Sequence, residues 1–191
     1  MRRPALWGRC VGGALLLGCA AVSDGSHDAG EWSIVAERAG GSALVARPPA
    51  AGGSFALAYE HSAYRSPAVE LFAVAGQGFT MYALASTNEA VLDYYDLEGT
   101  RTRLAGTGWW VLRPAWPRTY AELSLIATPL GRRTLVAGSV CLPLYPRAGA
   151  YDLRIRVMRT RPTGRTAPCP PAVREVVQTV PLHDGTRKIA R

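Results

Sequence analysis

The sequence has few segments with the long periodicity of an amphipathic helix. Short runs rich in Val, Tyr and Leu are separated instead by turn residues, with 20 Gly and 14 Pro among 191 residues. A chain of this length is ample for one hydrophobic core, and a hydrophobic content of 48% argues against a disordered chain. The sequence therefore predicts a single all-β domain, either an antiparallel β-sandwich or a partly open barrel.

Recognisable catalytic and zinc-binding motifs are also lacking. The chain has no G-x-S-x-G elbow to expose a serine nucleophile, and no C-x-x-C pair to bind zinc. No pairing of a nucleophile with a base, or of two carboxyl groups, stands out. An enzyme is therefore the least favoured class of function, and no cofactor is predicted.

Lysine is nearly absent, since 21 of the 22 basic residues are Arg. Charge is concentrated at the C-terminal end, where residues 146–191 hold 10 basic and 3 acidic residues, a net charge of +7. We favour a solvated arginine-rich face, and attraction to an anionic membrane surface is the alternative. No nucleic-acid-binding motif accompanies the charge, so nucleic acid is not predicted as a partner.

The N-terminal segment predicts export. Arginines are followed by CVGGALLLG (10–18), an apolar run of about nine residues that is far shorter than the roughly 20 needed to span a bilayer. The ending LLGC resembles a bacterial lipobox, in which Cys19 is lipidated. We therefore expect a signal peptide at 1–18, a lipidated tether at 19–30 and anchoring on the extracytoplasmic side of the cell membrane, at the periplasm or cell surface. An ordinary cleaved signal and an uncleaved anchor are the alternatives.

Four cysteines reduce to two once Cys10 is removed with the signal and Cys19 is lipidated. The remaining pair, Cys141 and Cys169, lies in a compartment that permits disulfides. We expect a bond between them, with two free thiols as the alternative.

Strands are predicted along the whole β domain, which we place at residues 31–146. A basic extension at 147–191 contains one clearly alternating strand, 151–159, and a segment, 173–180, that fits either a strand or a short helix. The predicted strands within the domain are 31–37, 42–47, 54–61, 69–75, 79–85, 89–95, 108–113, 120–127, 133–137 and 140–144.

The stretch ALAYEHSAYRSPAVELF (56–72) predicts a hairpin. Alternation places Tyr59 and His61 on one face of the first strand and Glu70 on one face of the second. The expected register pairs His61 with Glu70, Tyr59 with Phe72, and Leu57 with Val74.

Two interpretations of this hairpin stay open. In the structural one, Glu70 accepts a hydrogen bond from His61 and fixes the loop. In the functional one, a polar rim of Tyr59, His61, Ser62, Arg65 and Glu70 recognises a ligand. A serine hydrolase is disfavoured because the adjacent side chains of His61 and Ser62 diverge on a strand.

A metal site at His61 and Glu70 is not predicted, because it would need a third ligand. Only Asp93, Asp96 and His183 are plausible for that role. The segment around Asp93 and Asp96 lacks the spacing of a calcium loop and is predicted to be a strand end followed by a polar turn.

Three of the five tryptophans lie in TGWWVLRPAWP (107–117). Trp109 and Trp110 must face opposite sides of a strand, so one belongs to the core. Trp116 lies between prolines and is predicted to be an exposed platform.

The hairpin also carries a family resemblance. LAYEHSAYRSPAVELFAV resembles the tyrosine–x–histidine–serine signature, followed by proline and glutamate, of the family called domain of unknown function 1850. The matching positions are Tyr59, His61, Ser62, Pro67 and Glu70. A second stretch, IATPLGRRTLVAGSVCLPLYP, resembles the family's closing segment, and the resemblance covers residues 42–146.

The resemblance implies a small exported β domain. Genes of this family often lie beside components of TRAP-type solute transporters, which implies an accessory role in uptake. The expected function is therefore a non-enzymatic, membrane-tethered binding or accessory protein, with a transporter membrane subunit or a small-molecule solute as partner. The alternative is an envelope structural or assembly lipoprotein without a ligand pocket.

Overall fold

The computed structural model describes residues 32–38, 41, 43–46, 53–160 and 167–182. Most of them belong to strands, and two short helices follow strands of the larger sheet. The elements are β1 (Trp32–Arg38), β2 (Ala43–Ala46), β3 (Ser54–His61), β4 (Ser66–Ala75), β5 (Gly78–Ser86), α1 (Glu89–Tyr94), β6 (Gly99–Arg103), β7 (Trp110–Pro114), β8 (Arg118–Tyr120), β9 (Glu122–Ala127), β10 (Thr134–Ala137), β11 (Val140–Pro143), β12 (Tyr151–Arg159), β13 (Ala167–Pro168) and α2 (Pro171–Thr179).

The described strands form two open antiparallel sheets. The smaller sheet has the order β2-β1-β12-β9, and the larger has the order β13-β11-β10-β3-β4-β5-β7-β6, with β8 also paired to β5. The predicted all-β sandwich is therefore confirmed. β12, from the C-terminal basic segment, lies inside the smaller sheet between β1 and β9.

The core lies between the two sheets, and we call the side of the larger sheet that faces it the inner face. On the larger sheet, Phe55 stacks on Phe72 at 4.9 Å between ring centroids, and Phe79 meets both rings edge-on. On the smaller sheet, the alternation of β12 buries Leu153 and Ile155 against them. Aromatic pairs of this kind stabilise a fold by about 0.5–1.5 kcal/mol each beyond the burial of their area.

The opposite face of the larger sheet, which we call the outer face, is partly covered by α2. Alanines such as Ala56 and Ala83 keep this face shallow, so that Val176 of the helix and Val180, which follows it, are buried against it. Proline is well suited to the first turn of a helix, where its missing N–H is not needed, and α2 begins at Pro171. The strand-or-helix alternative for 173–180 is thus resolved as a helix.

The predicted disulfide is confirmed. Cys141 of β11 is bonded to Cys169, two residues before α2, across a sequence separation of 28 residues. Both cysteines are buried. The bond therefore attaches the start of α2 to the outer face.

The predicted strand 89–95 is wrong, because this segment forms α1. The side chain of Asn88 accepts a hydrogen bond from the N–H of Ala90 at 3.1 Å, which caps the helix. No strand is predicted between 95 and 108, yet Gly99–Arg103 form the exposed edge strand β6. Arg101 of β6 makes ion pairs with Asp93 at 2.7 Å and Glu89 at 3.6 Å, which joins the strand to α1.

One end of the sandwich holds the start of β1 and the β4–β5 turn. Trp32, Gln77, Met158 and Arg159 line a shallow hollow there. The guanidinium of Arg159 lies 5.0 Å from the centroid of the Trp32 ring, within the range of a cation–π contact. The β3–β4 loop lies at the opposite end of the larger sheet.

Candidate functional site

The β3–β4 hairpin is tighter than the sequence predicts. Its loop has four residues, 62–65, and His61 faces Ser66 across the strands. The N–H of Arg65 donates to the carbonyl oxygen of His61 at 2.8 Å, and Arg65 adopts a left-handed conformation with φ of 48°. This closes the turn and starts β4 at Ser66.

The predicted register is therefore wrong. Glu70 faces Leu57, and Tyr59 faces Ala68. The difference is four positions along the strand, so His61 and Glu70 are separated by roughly 13 Å of sheet and do not pair. Because four is an even number, each side chain keeps its predicted face.

Glu70 instead joins a buried chain of phenols. The hydroxyl of Tyr95, at the end of α1, donates to Oε1 of Glu70. The hydroxyl of Tyr59 is hydrogen-bonded to that of Tyr95, and since the Tyr95 proton is directed at Glu70, Tyr59 is the donor. Tyr59 and Glu70 are each only 8% exposed.

Burial, and then the negative charge of Glu70, raise the pKa of both Tyr59 and Tyr95 far above the ordinary range. The two phenols therefore stay protonated and act as hydrogen-bond donors. The guanidinium of Arg133 lies 4.6 Å from the centroid of the Tyr59 ring and adds a cation–π contact. The arrangement fastens α1 to the sheet and presents no nucleophile.

His61 is the last residue of β3, next to the hairpin loop and beyond the hydrogen-bonded phenols. It is 6% exposed, and its ring lies 4.7 Å from that of Tyr94 and 5.3 Å from that of Tyr64, centroid to centroid. Its buried Nδ1 has no hydrogen-bond partner within the described part of the chain. Burial, and then the positive charge of Arg133, lower the pKa of His61, so the neutral imidazole is favoured.

Arg65 and Ser62 lie apart from the other predicted site residues. Ser62 is exposed in the loop. Arg65 turns to the outer face, where its Nε lies 2.6 Å from Oε1 of Glu60. Tyr59 and Glu70 thus lie in the buried network, and His61 is buried beside the rings of Tyr64 and Tyr94. Ser62 lies in the exposed loop and Arg65 on the outer face.

The outer face holds a cavity of about 490 Å³ between the hairpin and the start of α2. We call it the outer-face cavity. Ala58, Val69 and Cys141 form its floor, Pro170 and Val173 its helical wall, and Glu60, Arg65, Arg132 and Tyr145 its polar rim.

The segment that presents Arg132 is held by several hydrogen bonds. Arg132 has a left-handed φ of 46°, its N–H donates to the carbonyl of Thr128 at 3.3 Å, and its carbonyl accepts from the hydroxyl of Thr134 at 3.0 Å. The carbonyl of Gly131 also accepts from the N–H of Glu60 at 2.8 Å. The turn is therefore tied to β3 beside the cavity.

Sequence reasoning missed Tyr95 and Arg132. Tyr95 is placed by α1, whose start is signalled by Asn88 before Glu89. Arg132 lies between the predicted strands 120–127 and 133–137, and no local pattern places such a connection beside a distant helix.

The other candidates lie apart from the cavity. Trp109 belongs to the outer-face core and Trp110 to a cluster on the inner face, so they face opposite sides as predicted. Trp116 is 79% exposed, in agreement with an exposed platform. Asp93 and Asp96 line a separate polar hollow beside β6.

Within the described ranges, no group of three metal-ligating side chains is found. Nor does any helix there have the length and apolar character to cross a membrane. His183, Cys19 and the predicted signal and tether lie outside the described residues.

Comparisons with known protein families, with curated proteins and with solved structures found no match. The family resemblance stays a prediction that depends on the hairpin motif and the closing segment.

Proposed function

We propose that this protein is a lipid-anchored, extracytoplasmic binding protein that holds a small molecule in the outer-face cavity and serves a TRAP-type solute transporter as an accessory. The observation that carries the binding function is the cavity itself. Its volume of about 490 Å³ lies within the roughly 300–1,000 Å³ typical of small-molecule sites. An apolar floor with a few polar groups at the rim is also the usual composition of such sites. The anchor is supported by the lipobox-like LLGC, and the transporter by the family resemblance.

The buried hydrogen-bonded chain of Tyr59, Tyr95 and Glu70, which we call the inner-face network, favours binding over catalysis. Tyr59, Tyr95 and Glu70 are hydrogen-bonded to one another, and the raised pKa of each phenol keeps it neutral. Tyr59 and Glu70 of the hairpin motif, together with Tyr95, therefore stabilise this end of the larger sheet. Tyr59 and Pro67 of the motif also line the outer-face cavity.

The test is affinity purification of the full chain from its native membrane, with mass spectrometry of the proteins and small molecules retained. Val173→Trp fills the cavity from the helix wall. Val177→Trp is the matched control, because it lies one turn further along α2, is also partly buried, and does not line the cavity.

We expect wild type and Val177→Trp to retain the same solute and transporter subunit, and Val173→Trp to lose the solute. Retention of the same solute by Val173→Trp contradicts binding in this cavity. Cys19→Ala is expected to release the protein from the membrane. Retention of this variant in the membrane fraction would contradict the lipid anchor.

A further inference from the structure

We infer that the outer-face cavity takes a small amphipathic organic anion, with its apolar part on the sheet and its anionic group at Arg132. This inference rests on the proposed binding function and names the class of ligand. It is argued from the floor, the rim charge and the backbone of the cavity.

The floor selects for an apolar body. Ala58 and Val69 are 6% and 0% exposed, and Cys141, bonded to Cys169, is also buried. None of these side chains offers a strong hydrogen bond to a ligand. Val173 closes the same side from α2. A fully hydrated polar molecule would lose hydrogen bonds to water on this surface without replacing them.

The rim selects for a negative charge. Glu60 and Arg65 neutralise each other in an ion pair at 2.6 Å. Arg132 also lines the rim, its side chain is exposed, and it makes no ion pair with a carboxylate of the described residues. The rim therefore carries one uncompensated positive charge. A guanidinium presents parallel N–H donors that match a carboxylate or sulfonate.

The backbone gives a separate reason to single out this rim. Three non-glycine residues of the described chain have positive φ: Arg65, Asp96 and Arg132. Two of the three line the outer-face cavity. Glycine adopts this conformation without the steric cost that a side chain adds, so an arginine there is kept at the expense of backbone strain. Both arginines are held in it by hydrogen bonds.

The experiment is equilibrium binding of two probes to the full chain in lipid nanodiscs, with empty nanodiscs as the blank. The probes are 2-naphthoate and its neutral isostere 2-naphthamide. We expect naphthoate to bind at least tenfold more tightly than naphthamide. Arg132→Gln is expected to lower naphthoate affinity about tenfold and to leave naphthamide affinity unchanged.

Glycine substitutions separate charge from backbone strain. Arg132→Gly and Asp96→Gly each replace a left-handed residue with glycine and so remove its backbone strain. Only Arg132→Gly also removes the rim charge. Naphthoate affinity is expected to fall in Arg132→Gly and to stay at the wild-type value in Asp96→Gly. Equal falls in the two variants would overturn the assignment of the charge to Arg132.

Equal affinities for the two probes, or unchanged naphthoate binding in Arg132→Gln, overturn the anion class and leave a binding protein of another specificity. Failure of both probes to bind also overturns the inference. The proposed function fails separately, when Val173→Trp retains the same solute from the native membrane.

Discussion

At the residue scale, the hydroxyl of Tyr95 is the link on which the inner-face network depends. It stands between the hydroxyl of Tyr59 and the carboxylate of Glu70, and it is the point where α1 is joined to β3 and β4. A buried polar group that loses its partner costs more than the net gain of the bond it made. The middle member of the chain is therefore the most sensitive position in it.

Tyr95→Phe is expected to lower the free energy of unfolding by about 1–3 kcal/mol, because Tyr59 and Glu70 both lose a buried partner. Urea denaturation measures this change. Tyr94→Phe is the control, since its ring is 66% exposed and the substitution keeps the aromatic contact with His61. Equal stability of the two variants would contradict the role of the network.

At the element scale, α2 is a short helix that depends on its attachments. Of its nine residues, only Val176 is fully buried, and Val180 follows at its end. Isolated helices of this length are marginal in water. The disulfide and the two valines therefore hold α2, and with it one wall of the outer-face cavity.

Cys141→Ala/Cys169→Ala is expected to destabilise the fold by about 3–4 kcal/mol in the chain-entropy estimate for a loop of this length. Hydrogen exchange should show loss of protection at the amide of Val180, which donates to the carbonyl of Val176 at 3.0 Å. Wild type with a reductant serves as the comparison and should show the same loss. Unchanged protection in α2 would mean that the helix is held without the bond.

Elements were predictable from the sequence where strand alternation was long and uninterrupted. The bounds of β3, 54–61, are found as predicted, and the inward side of β12 agrees with its alternation. The hairpin register was not predictable, because Arg65 carries no sequence signal for the left-handed conformation that shortens the loop. α1 was missed because its apolar residues, Val91 and Leu92, fit a short strand equally well, and the capping Asn88 was the better guide.

The candidate site was predictable only in part, since it combines distant segments. The motif residues Tyr59 and Glu70 do lie in one cluster, but through Tyr95 rather than through each other. The cavity joins the hairpin, the turn before β10 and the start of α2. That meeting depends on tertiary packing and on the disulfide, which short-range patterns do not encode.

At the scale of the whole molecule, stability depends on pH through His61. Its pKa is lowered in the folded state, mainly by burial, whereas the unfolded chain has the ordinary value near 6.5. Between the two values the unfolded state binds more protons, so His61 costs stability as the pH falls below about 6.5. The penalty is absent at higher pH, where both states are neutral.

We therefore expect the wild type to lose more unfolding free energy than His61→Gln when the pH is lowered from 7.5 to 5. Carboxyl groups contribute equally to both proteins, so the difference isolates the imidazole. Chemical denaturation at several pH values measures it. Parallel stability curves would show that His61 titrates alike in the folded and unfolded chains.

The chain enters the sandwich at the Trp32 end, and the outer-face cavity lies at the other end of the larger sheet. The eight residues of β3 span roughly 26 Å between these ends. With the proposed lipid on Cys19, residues 19–31 could extend at most about 45 Å, and with the Trp32 end toward the bilayer the cavity would lie up to some 70 Å above it. In that orientation, a channel lying flush with the membrane would reach a molecule in the cavity only if the domain turned over on its tether. A partner that projects from the membrane, or moves freely through the surrounding space, would meet the open end first.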